Sequence, residues 1–174
     1  MYDASNYRRC VDEAADFIEG LSIGQVDTGI ILGTGLGMLA DEIEAENIIE
    51  YDDIPNFPVS TVESHHGKLI FGRLNGVRVV AMKGRFHLYE GYSAREVTLP
   101  VRVMARLGVK RLLISNAAGG MNPHFSRGDL MLISDHINLQ GDNPLVGPNE
   151  DDWGPRFPDM SAPYDTIFQE KVEA

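Results

Sequence analysis

Cysteine is almost absent from this sequence, and long apolar runs are absent altogether. Cys10 is the single cysteine among 174 residues, which excludes an intrachain disulfide framework and a cysteine-based zinc finger. A lone cysteine is compatible with a reducing compartment. The first twenty residues contain acidic side chains and no apolar stretch. They therefore predict neither a signal peptide nor a membrane span, and we expect a cytoplasmic protein.

Positive charge is also scarce. Lys and Arg number 15 against 26 Asp and Glu, which gives a formal net charge of −11 and a pI near 4.8. This balance argues against a protein that binds nucleic acid or a membrane surface, because both normally require a basic face. Any anion that the protein binds must be held by a local cluster of donors. A hydrophobic content of 43% is that of an ordinary globular protein, and the length fits a single α/β domain over residues 1–174.

The first half of the chain has clear secondary-structure patterns. Apolar residues at helical spacing predict a helix from Tyr7 to Leu21. The run Gly29–Leu32 predicts a buried strand that enters a glycine-rich turn. Lys68–Leu74 and Val77–Lys83 predict two strands joined as a hairpin by Asn75–Gly76.

The second half continues the alternation of helices and strands. Residues 94–107 have helical spacing, and Pro100 predicts that this helix begins near that residue. Leu112–Ser115 and Leu130–Ile133 predict further strands, and a helix begins near Ile167. The pattern as a whole predicts an α/β fold with a mixed central sheet flanked by helices. The last helix has no capping residue before Ala174, which fits either a frayed terminus or a cut chain.

The glycine-rich turn Gly33–Gly37 could expose several backbone N–H groups to an anion, with the hydroxyl of Thr34 as a further donor. Met38 occupies the position where a dinucleotide fingerprint needs Gly or Ala, so that motif fails. No Gly-Lys-Ser/Thr follows, so a Walker A loop is also absent. A generic oxyanion turn and a purely structural turn both remain open.

The segment Gly84–Tyr92 carries three residues typical of binding sites. In an extended segment Arg85, His87 and Tyr89 project to one side. Arg offers a rigid fork of donors for phosphate, His a second donor, and Tyr a flat face suited to a sugar. A solvated strand with ordinary charges is the alternative.

Two other segments contain residues of interest. His65 and His66 are adjacent and point apart on a strand, and no other ligand motif accompanies them, so we expect no metal site. Asn116–Gly120 consists of small residues at the end of a buried strand, where open α/β sheets bind ligands. Close packing under a helix is the alternative for this segment.

Taken together, these segments resemble the trimeric class of purine nucleoside phosphorylases. Methylthioadenosine phosphorylases are related, but they differ at the segments 85–87 and 116–120. The segments that carry the resemblance occur in the family's order over nearly the whole chain: Gly33–Gly37, Ser64–Gly67, Gly84–Tyr92, Asn116–Gly120, Asp135–Asn138 and Arg156–Ser161.

The resemblance implies a phosphate site, a ribose site and a base site. It implies that Arg85 and His87 are the catalytic residues, and that Ala118 lines the base pocket by its backbone. Tyr89 would pack on the ribose, and Phe157 would reach across a subunit interface to cover the neighbour's sugar in a homotrimer. The implied phosphate-binding residues are Thr34, His65, Arg85, His87 and the backbone of Ala117.

The resemblance also implies the reaction: a purine nucleoside and phosphate give free purine and (deoxy)ribose 1-phosphate. Phosphate is a co-substrate, and no metal or other cofactor is implied. Family members continue past residue 174, so we expect a fold that is incomplete at its C-terminus, weak phosphate binding and little catalysis by these residues alone. A methylthioadenosine-type phosphorylase and a non-catalytic phosphate- or nucleoside-binding remnant of a truncated gene are the alternatives.

Overall fold

The computed structural model describes residues 6–59 and 67–173. It divides into two compact units, Met1–Ala117 and Ala118–Ala174. None of the helices in the described ranges is long and apolar enough to cross a membrane. The single domain expected over residues 1–174 stays a prediction.

A five-stranded sheet forms the centre of the first unit. Its strands are β1 (Thr28–Leu32), β2 (Glu44–Glu50), β3 (Lys68–Leu74), β4 (Val77–Lys83) and β5 (Arg111–Ile114). They lie in the order β2-β3-β4-β1-β5. β1 pairs in parallel with β4 and β5, whereas β2, β3 and β4 pair antiparallel. The predicted mixed sheet is confirmed, and the hairpin has the predicted boundaries.

Two amphipathic helices, α1 (Tyr7–Gly20) and α2 (Ala94–Arg106), pack against each other. α2 also lies over β1, because a Cβ at Gly29 would come within 3.1 Å of the Met104 sulfur. The guanidinium of Arg106 joins the helices by ion pairs to acidic residues of α1, at 3.1 Å from Glu19 and 3.4 Å from Asp16. The helices therefore flank the sheet as predicted.

The start of α2 differs from the prediction. Ser93 caps the helix, and the Glu96 carboxylate accepts a hydrogen bond from the Ser93 backbone N–H at 2.7 Å. This capping box satisfies amide groups that a helix end leaves unpaired. The helix therefore begins well before Pro100, which lies fully buried inside it.

Strand β2 was not predicted from the sequence. Its acidic composition is unfavourable for a strand, and most of its side chains are exposed at the edge of the sheet. Basic residues on β3 and β4 offset this charge, since Glu46 pairs with Arg73 of β3 at 3.4 Å and with Arg78 of β4 at 2.6 Å. Cross-strand pairing, which the local pattern does not reveal, accounts for the strand.

The second unit contains no strand among its described residues, so the strand predicted at Leu130–Ile133 is wrong. Leu130 is 91% exposed. A short apolar run becomes a strand when a neighbouring strand accepts its backbone hydrogen bonds, and residues 118–173 supply no such partner. The helix α3 (Thr166–Glu173) is confirmed, and Gln169 donates from its amide to the Ile133 carbonyl at 3.0 Å.

Candidate functional site

The carboxyl ends of three strands lie side by side in the first unit. β1 is parallel to both of its neighbours, with Leu32 opposite Lys83 of β4 and Ile31 opposite Ile114 of β5. The segments that leave these ends therefore start at one edge of the sheet, which is the edge where open α/β sheets bind ligands. They begin at Gly33, Gly84 and Ser115.

The ends of β1 and β5 are joined by the side chain of Ser115. Its hydroxyl accepts a hydrogen bond from the Gly33 N–H at 2.9 Å and donates to the Ile31 carbonyl at 3.3 Å. The two backbones approach so closely that a Cβ at Gly33 would lie 2.3 Å from the Ser115 carbonyl oxygen. Glycine is therefore required at residue 33, and exposed Thr34 follows it directly.

Arg85 lies half-buried between the ends of β4 and β5. Its Nη1 donates to the Ser115 carbonyl at 2.8 Å, and its Nε donates to Nε2 of His87 at 3.2 Å. These contacts occupy two of the five N–H donors of the guanidinium. The side chain is thus held in one orientation with its positive charge at the strand ends.

His87 is oriented by Glu90, a residue that the sequence reasoning missed. One Glu90 carboxylate oxygen, Oε1, lies 2.7 Å from His87 Nδ1 and accepts the His87 backbone N–H at 3.0 Å. Because Nε2 accepts from Arg85, the imidazole proton belongs on Nδ1, where Glu90 receives it. The Glu90 side chain is only 3% exposed. The His-x-x-Glu spacing at the start of a 3-10 turn, Leu88–Glu90, was the signal available.

Tyr89 lies beside this pair. Its ring stacks on the His87 imidazole with centroids 4.6 Å apart and planes 17° from parallel. The phenol itself is 79% exposed, so it presents an accessible aromatic face next to the histidine. One side of the segment carries Arg85, His87 and Tyr89, as expected. Tyr89 reaches that side through a 3-10 turn and not through a continuous extended segment.

Tyr51 supports the segment that carries Arg85. Its hydroxyl donates to the Gly84 carbonyl at 2.7 Å, and its ring packs against Phe57 and Phe86. A Cβ at Gly67 would lie 2.2 Å from the same ring, so this glycine allows the start of β3 to pass the phenol. Burial raises the pKa of Tyr51 well above its ordinary value.

The remaining predicted site residues fall in three places. His65 lies outside the described residues. Ala117 follows Ser115 by two positions in the first unit, and Ala118 and Phe157 belong to the second unit, where Phe157 is 86% exposed. Within 6–59 and 67–173, no group of three or more His, Cys, Asp or Glu side chains is arranged to hold a metal ion. The roles assigned to these residues stay predictions.

Residues 27–174 match the family model described as the phosphorylase superfamily. The chain belongs to the phosphorylase superfamily. Among curated proteins, purine nucleoside phosphorylase 1 of Bacillus subtilis is 59% identical over 94% of the chain and 60% of its own length. The mouse purine nucleoside phosphorylase is 54% identical over 82% of the chain and 50% of its own length.

Solved structures agree with this family membership. Isoform 2 of purine nucleoside phosphorylase from Schistosoma mansoni, in complex with cytosine and ribose-1-phosphate, has a TM-score of 0.87 and 50% identity over 94% of this chain. A Schistosoma purine nucleoside phosphorylase in complex with hypoxanthine has a TM-score of 0.85, 49% identity and 92% coverage of this chain. This superfamily chain spans 59% and 57% of the length of those two proteins. The resemblance read from the six segments is confirmed.

Proposed function

We propose that this protein catalyses the phosphorolysis of purine nucleosides to free purine base and (deoxy)ribose 1-phosphate. The observation that carries the proposal is the clustering of donors at the ends of β1, β4 and β5. Arg85, His87 and the backbone that leaves Gly33 and Ser115 are linked by direct hydrogen bonds. In a chain with a net negative charge, a local cluster of donors around a guanidinium at this sheet edge is suited to bind an anion.

The chemistry proposed for this cluster needs a well-placed phosphate. A phosphate oxygen forms a bond to the anomeric carbon of the ribose while the glycosidic C–N bond breaks, and the electron pair of that bond leaves with the purine. The sugar passes through an oxocarbenium-like state, as in other glycosyl transfers. Arg85 would bind the phosphate together with Thr34, His65 and the backbone of Ala117. Both ring nitrogens of His87 are engaged by Arg85 and Glu90 in this structure, so His87 would join the phosphate site by exchanging its Arg85 contact for the phosphate. The part of these groups is to orient the nucleophile and balance its charge.

The ribose, the base and the assembly complete the proposal. Tyr89 would pack on the ribose, which its exposed and stacked ring supports. Ala118 would line the base pocket by its backbone, and exposed Phe157 would cover the sugar in a neighbouring subunit of a homotrimer. Sedimentation that finds only monomers at assay concentration would contradict the trimer.

The remaining parts of the proposal concern cofactors and location. Phosphate is the co-substrate, and the reaction uses no metal or organic cofactor, so dialysis against a chelator should leave turnover unchanged. We place the protein in the cytoplasm, which the buried free thiol of Cys10 supports. A role in purine salvage follows from the proposed reaction.

The test measures phosphate-dependent release of hypoxanthine from inosine, together with phosphate binding by calorimetry. Arg85→Ala should weaken phosphate binding by about 1.5–3 kcal/mol, or roughly ten- to a hundredfold in Kd, because it removes a charged donor. Arg111→Ala is the matched control, since Arg111 pairs with Asp27 on the exposed surface at 3.2 Å.

Three outcomes would count against the proposal. Unchanged phosphate affinity in Arg85→Ala would remove that residue from the site. Faster turnover of methylthioadenosine than of inosine would favour the methylthioadenosine-type reaction. Phosphate binding without turnover of any nucleoside, in a protein that extends past residue 174 as the relatives do, would favour a binding role over an enzyme. For residues 1–174 alone, weak binding with little turnover is the expected result.

A further inference from the structure

The junction between β1 and β5 contains a side chain that the proposed reaction does not use. Ser115 is half-buried, and its hydroxyl contacts two backbone groups of the other strand end. It accepts from the Gly33 N–H and donates to the Ile31 carbonyl, a double role that a hydroxyl can fill and a methyl group cannot. The contact joins residues 82 positions apart in the chain.

We propose that Ser115 is a positioning residue for phosphate. Its hydroxyl locks the ends of β1 and β5 together, so that Thr34, Arg85 and the backbone of Ala117 keep one geometry around the anion. The inference rests on the proposed function, and it goes beyond it by assigning a role to a residue that does not itself touch phosphate.

Three of the residues predicted to bind phosphate are linked to Ser115 by short paths. Thr34 directly follows Gly33, whose N–H donates to the hydroxyl. Ala117 lies two residues after Ser115 along the chain. Arg85 donates to the Ser115 carbonyl at 2.8 Å, so movement of this backbone would also move the guanidinium. Supporting groups of this kind hold binding residues in place before the ligand arrives.

The pairing of the two strands does not depend on the hydroxyl. Their parallel ladder runs from Thr28 opposite Arg111 to Ile31 opposite Ile114. The Ser115 N–H extends it by donating to the Ile31 carbonyl at 3.0 Å. Removing the hydroxyl should therefore leave the sheet intact and loosen the segments that leave it.

Ser115→Ala tests the proposal. It should raise the Kd and KM for phosphate about three- to tenfold, the effect of one lost hydrogen bond, with a much smaller change in the KM for the nucleoside. Ser115→Thr keeps a hydroxyl and should restore phosphate affinity. Thr98→Val is the matched control, because it removes a half-buried hydroxyl that donates to the Ala94 carbonyl at 2.8 Å within α2.

Hydrogen exchange supplies a readout that is independent of activity. Ser115→Ala should speed exchange of the Gly33 amide, whereas Thr98→Val should not. Unchanged phosphate affinity in Ser115→Ala, or failure of Ser115→Thr to restore it in a folded protein, would overturn the proposal. If the wild-type protein neither binds phosphate nor turns over nucleoside, the proposed function fails. Unchanged exchange at Gly33 would then show separately that the hydroxyl does not lock the junction.

Discussion

At the scale of single residues, the site depends on a chain of side chains that orient one another. Glu90 receives the His87 ring N–H, and Arg85 donates to the opposite ring nitrogen. The carboxylate is almost fully covered, at 3% exposure, so its hydrogen bonds are made with little competition from water. Charge-assisted bonds of this kind are shorter and stronger than neutral ones. The direction of the imidazole is therefore set before any ligand binds.

Glu90→Ala tests this orientation. It should weaken phosphate binding by about tenfold, because the loss of a charge-assisted partner frees the His87 ring to rotate. Glu90→Gln is the control, since its amide oxygen can still accept from the imidazole and the backbone. Calorimetric titration with phosphate measures the difference. Equal affinities of Glu90→Ala and wild type would mean that Glu90 does not position His87.

At the scale of elements, α2 shows how a local signal can outweigh a helix breaker. Ser93 and Glu96 exchange hydrogen bonds at the first turn. The buried face of Leu99, Val103 and Met104 holds the helix against its surroundings. Pro100 lacks an N–H and interrupts the internal ladder, yet the helix continues through it.

Ser93→Ala should therefore lower the free energy of unfolding by about 1 kcal/mol, the usual contribution of an N-cap. Ser93→Asp keeps an acceptor for the Glu96 N–H and should retain most of the stability. Urea denaturation followed by circular dichroism measures both variants. A Ser93→Ala midpoint equal to that of wild type would show that the cap contributes nothing to folding.

At the scale of the whole molecule, buried ionisable groups make stability depend on pH at the alkaline end. Tyr51 is buried and donates to Gly84, and burial raises its pKa above the ordinary value of 10.0. The folded chain therefore keeps a proton that the unfolded chain has lost above about pH 10. The contribution of this group to the free energy of unfolding is fully present below that pH. Above it, the free energy of unfolding falls by up to about 1.4 kcal/mol for each pH unit.

Tyr51→Phe should remove this contribution. Its unfolding free energy is expected to fall less steeply above about pH 10 than that of wild type, because the variant has no phenol at that position to ionise. Urea unfolding at a series of alkaline pH values gives both slopes. Identical slopes would show that Tyr51 ionises equally easily in the folded and unfolded states.

Local sequence patterns were sufficient to predict the helices α1 and α3 and the hairpin. They were also sufficient to predict that Arg85, His87 and Tyr89 lie together. Each depends on residues within a few positions of one another, where backbone preference and spacing act directly. Local patterns could not predict strand β2, nor could they predict that Leu130–Ile133 forms no strand. Whether a segment forms a strand depends on a partner elsewhere in the chain.

The donor cluster illustrates the same division. The residue types were visible in the sequence: a glycine turn after β1, an arginine and a histidine after β4, and small residues after β5. The hydrogen bonds that connect these residues could not be predicted from the sequence. The Gly33–Ser115 and Arg85–Ser115 hydrogen bonds join residues 82 and 30 positions apart. Such contacts exist only once the parallel strands have paired and brought their ends to one edge. Local chemistry thus supplied the donors, and chain folding assembled them into one cluster at the sheet edge.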